Sequence, residues 1–172
     1  MSQISLVALN AASKADFVTA LSNVVEYSPW IAEKLAEVRP FAGINQLHAA
    51  LMAAIQGADP DVQLALIRAH PDLANKTQRA AGLTAESTGE QNSAGLDRLS
   101  DAEYAAFERV NTAYRDKFGF PFIMAVKGRT KDEILDGFAA RLDSARPAEI
   151  ATALDQIGRI AGFRLTDLVA ER

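Results

Sequence analysis

The chain has 172 residues, 49% hydrophobic and 23% charged, which suits one folded domain with a sizeable core. Its net charge of -4 disfavours nucleic acid and anionic membranes as partners, and the absence of cysteine excludes disulfides, thiolate zinc sites and a cysteine nucleophile. No apolar run reaches the ~18 residues of a membrane span, and the N-terminus lacks a signal-peptide pattern, so the cytoplasm is the expected location.

Taken in chain order, the pattern is helical almost throughout. Ser13 and Asp16 resemble a capping box, opening a helix with Phe17, Ala20, Leu21 and Val24 on its apolar side. Ser28-Pro29 starts a second, with Ile31, Leu35 and Val38 on one face and Pro40 as its stop. Ile44, Leu47, Leu51 and Ile55 give a third, closed by Gly57. Asp59-Pro60 opens a fourth, with Val62, Leu66 and Ala69 spaced for burial. Pro71 then forbids continuation, because its ring clashes with a helical residue before it. His70 is therefore expected at a helix C-terminus, extended and partly exposed.

From Asn75 to Glu86 the pattern weakens into short helix or loop. Ser87-x-x-Glu90 reads as a capping box for a short helix ending near Gly95, and Ser100-x-x-Glu103 as another for a longer one. The latter carries Tyr104, Phe107, Val110, Tyr114 and Phe118 and breaks at Gly119. Phe120 to Val126 is extended in character but has no second strand to pair with. Thr130-x-x-Glu133 caps a helix carrying Ile134, Phe138 and Leu142. Pro147 starts the last, with Ile150, Leu154, Ile157, Ala161 and Leu168. With no repeat, linker or low-complexity tract, the expectation is one all-α domain over 1–172. It should hold about seven or eight helices and one extended segment, 120–126.

Four features could carry chemistry, and each also has an ordinary structural explanation. His70 ends a helix, where an imidazole serves either as a cap suited to the negative end of the dipole or as a proton-transfer group. Glu90 is explained by capping, but Thr88, Gln91 and Asn92 are left over, and a polar helix N-terminus offers amides to a polar or anionic ligand. Arg164 falls about 40° from the centre of the last helix's apolar arc, at ~100° per residue. An arginine there needs an anion, either a carboxylate of the protein or one of a ligand. The Phe120–Val126 run reads as core, yet its unpaired amides and carbonyls could serve a heterocycle with amide-like edges. His48, inside the third helix, reads as a surface or core-edge histidine. No phosphate-binding loop, dinucleotide fingerprint, serine elbow or metal-ligand spacing is present.

In order and spacing, several strings together resemble the OHCU decarboxylase family of urate breakdown (OHCU is 2-oxo-4-hydroxy-4-carboxy-5-ureidoimidazoline). They are Ser28-Pro29-Trp30, Arg39-Pro40-Phe41, His70-Pro71-Asp72-Leu73-Ala74, Ser87-x-x-Glu90-Gln91 with Ala94-Gly95-Leu96, Phe118-Gly119-Phe120-Pro121-Phe122-Ile123, and Arg164-Leu165. The resemblance spans Phe17 to Leu168. It implies an all-helical, usually dimeric lyase that needs no cofactor or metal and acts after urate oxidase and hydroxyisourate hydrolase, with S-allantoin as product. It also implies a catalytic pair, His70 and Glu90, and a substrate-contacting Pro71. Ser87, Thr88, Gly89 and Gln91 match the family's polar binding loop. Phe122, Ile123, Met124, Ala125 and Val126 match the segment whose backbone contacts the ring and ureido group, and Arg164 matches the substrate-binding arginine. On this view imidazole, carboxylate and guanidinium meet in one pocket. Two other readings stay open: a non-catalytic all-α dimer in which these groups cap and pair internally, and a related lyase acting on another carboxylated ureide or a pterin.

Overall fold

The computed structural model describes residues 3–171. Among them are ten helices and one two-residue parallel pairing, and the chain divides into two compact units, described separately. One comprises residues up to Leu66 together with Ile157 onward; the other is Ile67–Gln156.

The first unit opens with β1 (Ile4–Ser5), which pairs with β2 (Val169–Ala170), joining the two ends of the chain. Neither strand has a sequence signal, because two residues cannot show alternation. Helix α1 (Leu6–Ala11) follows, capped by the Ser5 hydroxyl, and buries Leu6 and Leu9; its single turn and a half is too short for periodicity to reveal. Ser13 caps α2 (Lys14–Leu21) as its spacing suggests, accepting from Asp16 N at 3.1 Å and donating to the Asp16 carboxylate at 2.7 Å. Helix α3 (Pro29–Glu37) starts on Pro29 and buries Ile31 and Leu35. Val38, expected on that face, is 59% exposed, since it already lies past the last helical residue.

The Arg39-Pro40-Phe41 string has a structural use within this unit. Arg39 Nη1 donates to the Ala12 carbonyl at 2.7 Å and its guanidinium stacks 4.7 Å from the Phe17 ring. The Asn10 carboxamide bonds both the carbonyl and the amide of Phe41. Helix α4 (Ile44–Gln56) buries Leu47, Leu51 and Ile55 and ends at Gly57. It packs against the last turns of α10 (Arg146–Leu168) where glycines permit close approach: a Cβ on Gly158 would fall 2.1 Å from Met52 Sδ. His48 is half-buried and its Nε2 lies 2.8 Å from the Gly158 carbonyl, so that nitrogen carries the proton. The histidine at the core edge is thus a packing residue.

The second unit takes the end of α5 (Pro60–Arg68), then α6 (Lys76–Ala81), α7 (Ala85–Ser93), α8 (Asp101–Phe118), α9 (Lys131–Leu142) and the first turns of α10. Its core is aromatic. Phe107, Tyr114, Phe118, Phe120, Phe122 and Phe138 are fully buried, with Phe122 and Phe138 stacked at 3.8 Å. Both halves of the capping box form at Ser100/Glu103 and at Thr130/Glu133, and Gly119 closes α8 in the left-handed conformation. Residues 120–126 form neither helix nor strand and join no ladder, as their lack of a partner strand implies. Two expectations fail. The cap of α7 is Thr84, whose Oγ1 accepts from Ser87 N at 3.2 Å, so Ser87 and Glu90 lie inside the helix rather than at its start. On α10 the deeply buried residue of the first turn is Glu149, not Ile150, because a charged partner awaits it there.

Candidate functional site

His70 follows α5 by two residues, its amide donating to the Ile67 carbonyl at 3.2 Å as the helix unwinds before Pro71. The expected helix end is there, but the imidazole is buried, at 6% exposure, rather than partly exposed. Burial follows from what holds the chain on either side. Two residues before it, Arg68 Nε donates to the Gly119 carbonyl at 3.1 Å, tying the end of α5 to the start of the extended segment. Two residues after it, the turn is bonded at nearly every polar group.

That turn is a dense polar construction. Asp72 N donates to Gln78 Oε1 at 2.7 Å. The Asp72 carboxylate accepts from Arg115 Nε at 2.8 Å, and from the Asn75 and Gln78 carboxamides at 3.2 Å each. Gln91 Nε2 donates to the Asp72 carbonyl at 3.3 Å, while its Oε1 accepts from Ala74 N at 3.1 Å. Asn111 Nδ2 donates to the Leu73 carbonyl at 2.8 Å. Ala74 sits at φ +55°, a left-handed conformation that costs an alanine on the order of 1–2 kcal/mol and persists only when surrounding bonds over-determine it.

Helix α7 presents Ser87, Glu90 and Gln91 on one face, at three- and four-residue spacing. Ser87 and Gln91 are buried, Thr88 and Glu90 half-buried, and Gly89 exposed on the opposite side with open space around it. Gln91 is the bridge: it holds the turn that carries His70 and is the chain neighbour of Glu90. Its carboxamide is occupied at both ends by main chain of the turn. Arg79, on α6, also reaches α7, with Nη2 2.7 Å from Asn92 Oδ1.

The extended segment is fixed from outside by side chains. Arg141 Nη1 donates to the Ile123 carbonyl at 2.7 Å, with its guanidinium 4.4 Å from the Phe122 ring. Glu149 locks that arginine at 2.8–2.9 Å and accepts a hydrogen bond from the Tyr114 hydroxyl. Burial, then the Glu149 carboxylate, push the Tyr114 hydroxyl above its ordinary range, so it stays protonated and donating. Gln156 Oε1 accepts from Ala125 N at 3.0 Å. Phe122, Ile123, Ala125 and Val126 are buried and Met124 is half-buried.

His70, Pro71, the α7 face with Glu90, and residues 122–126 thus belong to the second unit; Arg164 belongs to the first. Arg164 is 7% exposed, as its place on the apolar arc implies. Its Nη2 donates to Glu26 Oε1 at 3.2 Å and its Nη1 to the Asn23 carbonyl at 3.1 Å. Of the two anions left open by the sequence, a protein carboxylate is in place. Sequence reasoning missed Asn111, Arg115, Arg141, Glu149 and Gln156. Each is a polar residue on a helix whose local pattern gives no hint of a distant main-chain partner. Only Asn111 and Glu149, polar at core spacing, carried a usable signal. The Oδ1 of the same Asn111 carboxamide is buried without a hydrogen-bond partner among the described residues. No cluster of potential metal ligands occurs among the described residues.

Comparison with known proteins gives a consistent result. A family model described as OHCU decarboxylase matches residues 10–166. The chain is 44% identical over 172 residues to the 2-oxo-4-hydroxy-4-carboxy-5-ureidoimidazoline decarboxylase of Halalkalicoccus jeotgali, covering all of this chain and 96% of that one. It is 34% identical over 166 residues to the protein of the same name from Mus musculus, covering 96% and 93%. Among solved structures it resembles an (S)-allantoin synthase with TM-score 0.77 and 30% identity, over 97% of this chain and 54% of that chain. An OHCU decarboxylase crystallised in the presence of (S)-allantoin shares the fold, with TM-score 0.69 at 19% identity over 91% of this chain. The same strings that frame His70, Glu90 and the extended segment lie inside the matched region, and the chain belongs to the OHCU decarboxylase family.

Proposed function

We propose that this protein decarboxylates 2-oxo-4-hydroxy-4-carboxy-5-ureidoimidazoline to (S)-allantoin in urate degradation, without a cofactor, as a cytoplasmic homodimer. Besides family membership, one observation carries the reading: the buried His70 is fixed on both sides, by Arg68 to the start of the extended segment and by Gln91 to the helix bearing Glu90.

The chemistry asks for this kind of site. The bond from the ring carbon to the carboxylate breaks, its electron pair forms a double bond to the ureido-bearing carbon, and the electrons of the neighbouring C=N, the sink, move to the ring nitrogen, which takes up a proton. The intermediate enol then takes a proton on the ureido-bearing carbon while its hydroxyl becomes a carbonyl. One proton is consumed and carbon dioxide leaves. The protein's part is to orient the carboxylate, stabilise moving charge and deliver the proton to one face. His70 is the proton donor, with Glu90 orienting the substrate hydroxyl or the imidazole. Pro71 and the α7 residues Ser87, Thr88, Gly89 and Gln91 border the substrate, and the main chain of Phe122 to Val126 meets its amide-like edges. Arg164 holds an anionic group with the fork of its guanidinium. The Arg164–Glu26 pair favours a second reading of that residue alone, as an internal ion-pair partner.

The test is to generate fresh substrate with urate oxidase and hydroxyisourate hydrolase and follow its ultraviolet decay. Wild-type protein should accelerate the decay, and His70→Gln should lower kcat about 10²–10⁴-fold, the usual worth of a positioned general acid. Unchanged kcat in His70→Gln would remove the imidazole from the mechanism.

A further inference from the structure

The turn after His70 contains a second ionisable side chain to which the reaction assigns nothing. Asp72 is 5% exposed, and its carboxylate is gripped by Arg115 Nε at 2.8 Å, Asn75 Nδ2 at 3.2 Å and Gln78 Nε2 at 3.2 Å. A carboxylate taken so far out of water is costly, and a helix-terminating turn has no folding need for one: Pro71 already breaks the helix. What the carboxylate does is fix the turn's geometry. Its three donors come from α8, from the start of α6 and from the residue just before α6, so Asp72 cannot rotate without breaking bonds on separate elements. Its own amide is held by the same Gln78, and its carbonyl by Gln91. Only Pro71, with its backbone torsion locked by the ring, separates this anchor from His70.

We propose that Asp72, clamped by Arg115, is a positioning residue: it sets the orientation from which the His70 imidazole delivers its proton. The inference rests on the reading of His70 as proton donor. A displacement of about 1 Å at such a group costs on the order of a hundredfold in rate. Loss of the clamp therefore lowers kcat and leaves ground-state binding, which Asp72 does not touch, in place.

The experiment measures kcat and KM for Asp72→Asn, Asp72→Ala, Arg115→Met and His70→Gln, and for Asp72→Ala combined with His70→Gln. Circular dichroism and thermal melting give the folded fraction of each, so that rates are taken per folded molecule. Asp72→Ala should lower kcat about a hundredfold with KM within about twofold, Asp72→Asn less, since its amide retains an acceptor for Arg115. In the His70→Gln background the same change should cost less than about threefold, because a residue acting through the imidazole has nothing left to position. If Asp72→Ala does not fold, Arg115→Met carries the test, because it leaves the Asn75 and Gln78 bonds in place; about a tenfold fall in kcat is expected. Full kcat in the folded Asp72 or Arg115 variants, with His70→Gln impaired as expected, overturns the positioning role and spares the reading of His70. An equal loss with and without His70 also overturns it, because Asp72 would then act elsewhere. A fully active His70→Gln removes the underlying reading, and the inference with it.

Discussion

At the scale of single residues, the decisive arrangements are those in which one charged group is buried against another. Arg164 and Glu26 have side chains 7% and 1% exposed, 3.2 Å apart. Truncating one member of such a pair strands the other, and Arg164→Ala should cost about 3–5 kcal/mol of stability, read as a lower urea midpoint. A loss confined to stability, with kcat and KM of the folded fraction unchanged, gives Arg164 to Glu26 alone. A raised KM in the folded fraction adds the substrate contact that family resemblance implies. The sequence located Arg164 correctly on a buried stripe, because helical spacing depends only on local geometry. It could not choose the partner, since Glu26 is 138 positions away and no local pattern records that distance.

At the scale of elements, capping is where reading and outcome part most instructively. Ser100/Glu103 and Thr130/Glu133 close as boxes, whereas Ser87/Glu90, with the same spacing, does not. The difference is Thr84, which starts α7 three residues earlier and leaves the would-be cap inside the helix, on the face whose Gln91 bonds the turn after His70. A spacing rule cannot distinguish a cap from an inward-facing polar pair once an earlier cap is available. Thr84→Ala should therefore destabilise the fold by about 1 kcal/mol, measured by denaturant unfolding. A null effect from Thr84 beside a loss of that size from Ser87→Ala would reverse the assignment.

Glu103 supplies a pH signature at the same scale. The Lys131 ammonium, followed by the amide and hydroxyl of Ser100, hold its carboxyl at about 2, below its ordinary value of 4.5. A lowered folded-state pKa stabilises the fold above the ordinary value, and that contribution fades as pH falls from 4.5 towards 2. Glu103→Gln should accordingly melt below wild type at pH 7, with the gap closing through that acid window. A gap independent of pH would mean that the charge is not what Glu103 contributes. Unlike this cap, the short pieces α1, β1 and β2 left no mark in the sequence, being too brief to establish a period.

At the scale of the whole chain, the all-helical class and the non-helical run at 120–126 were legible, because long helices repeat their pattern and a proline-containing apolar run interrupts it. The break after α5 was legible too, through the one histidine placed where proline forbids a helix. The construction of the candidate site was not: Asp72, Asn111, Arg115 and Arg141 act on main-chain or side-chain groups that are remote in sequence. The measurement that bears most directly on the account is the decay of enzymatically generated substrate, with the optical activity of the product followed by circular dichroism. Wild-type protein should speed the decay and yield (S)-allantoin alone, and His70→Gln should lower kcat about 10²–10⁴-fold and release product of lower optical purity. Racemic product at the uncatalysed rate from folded wild-type protein would contradict the account.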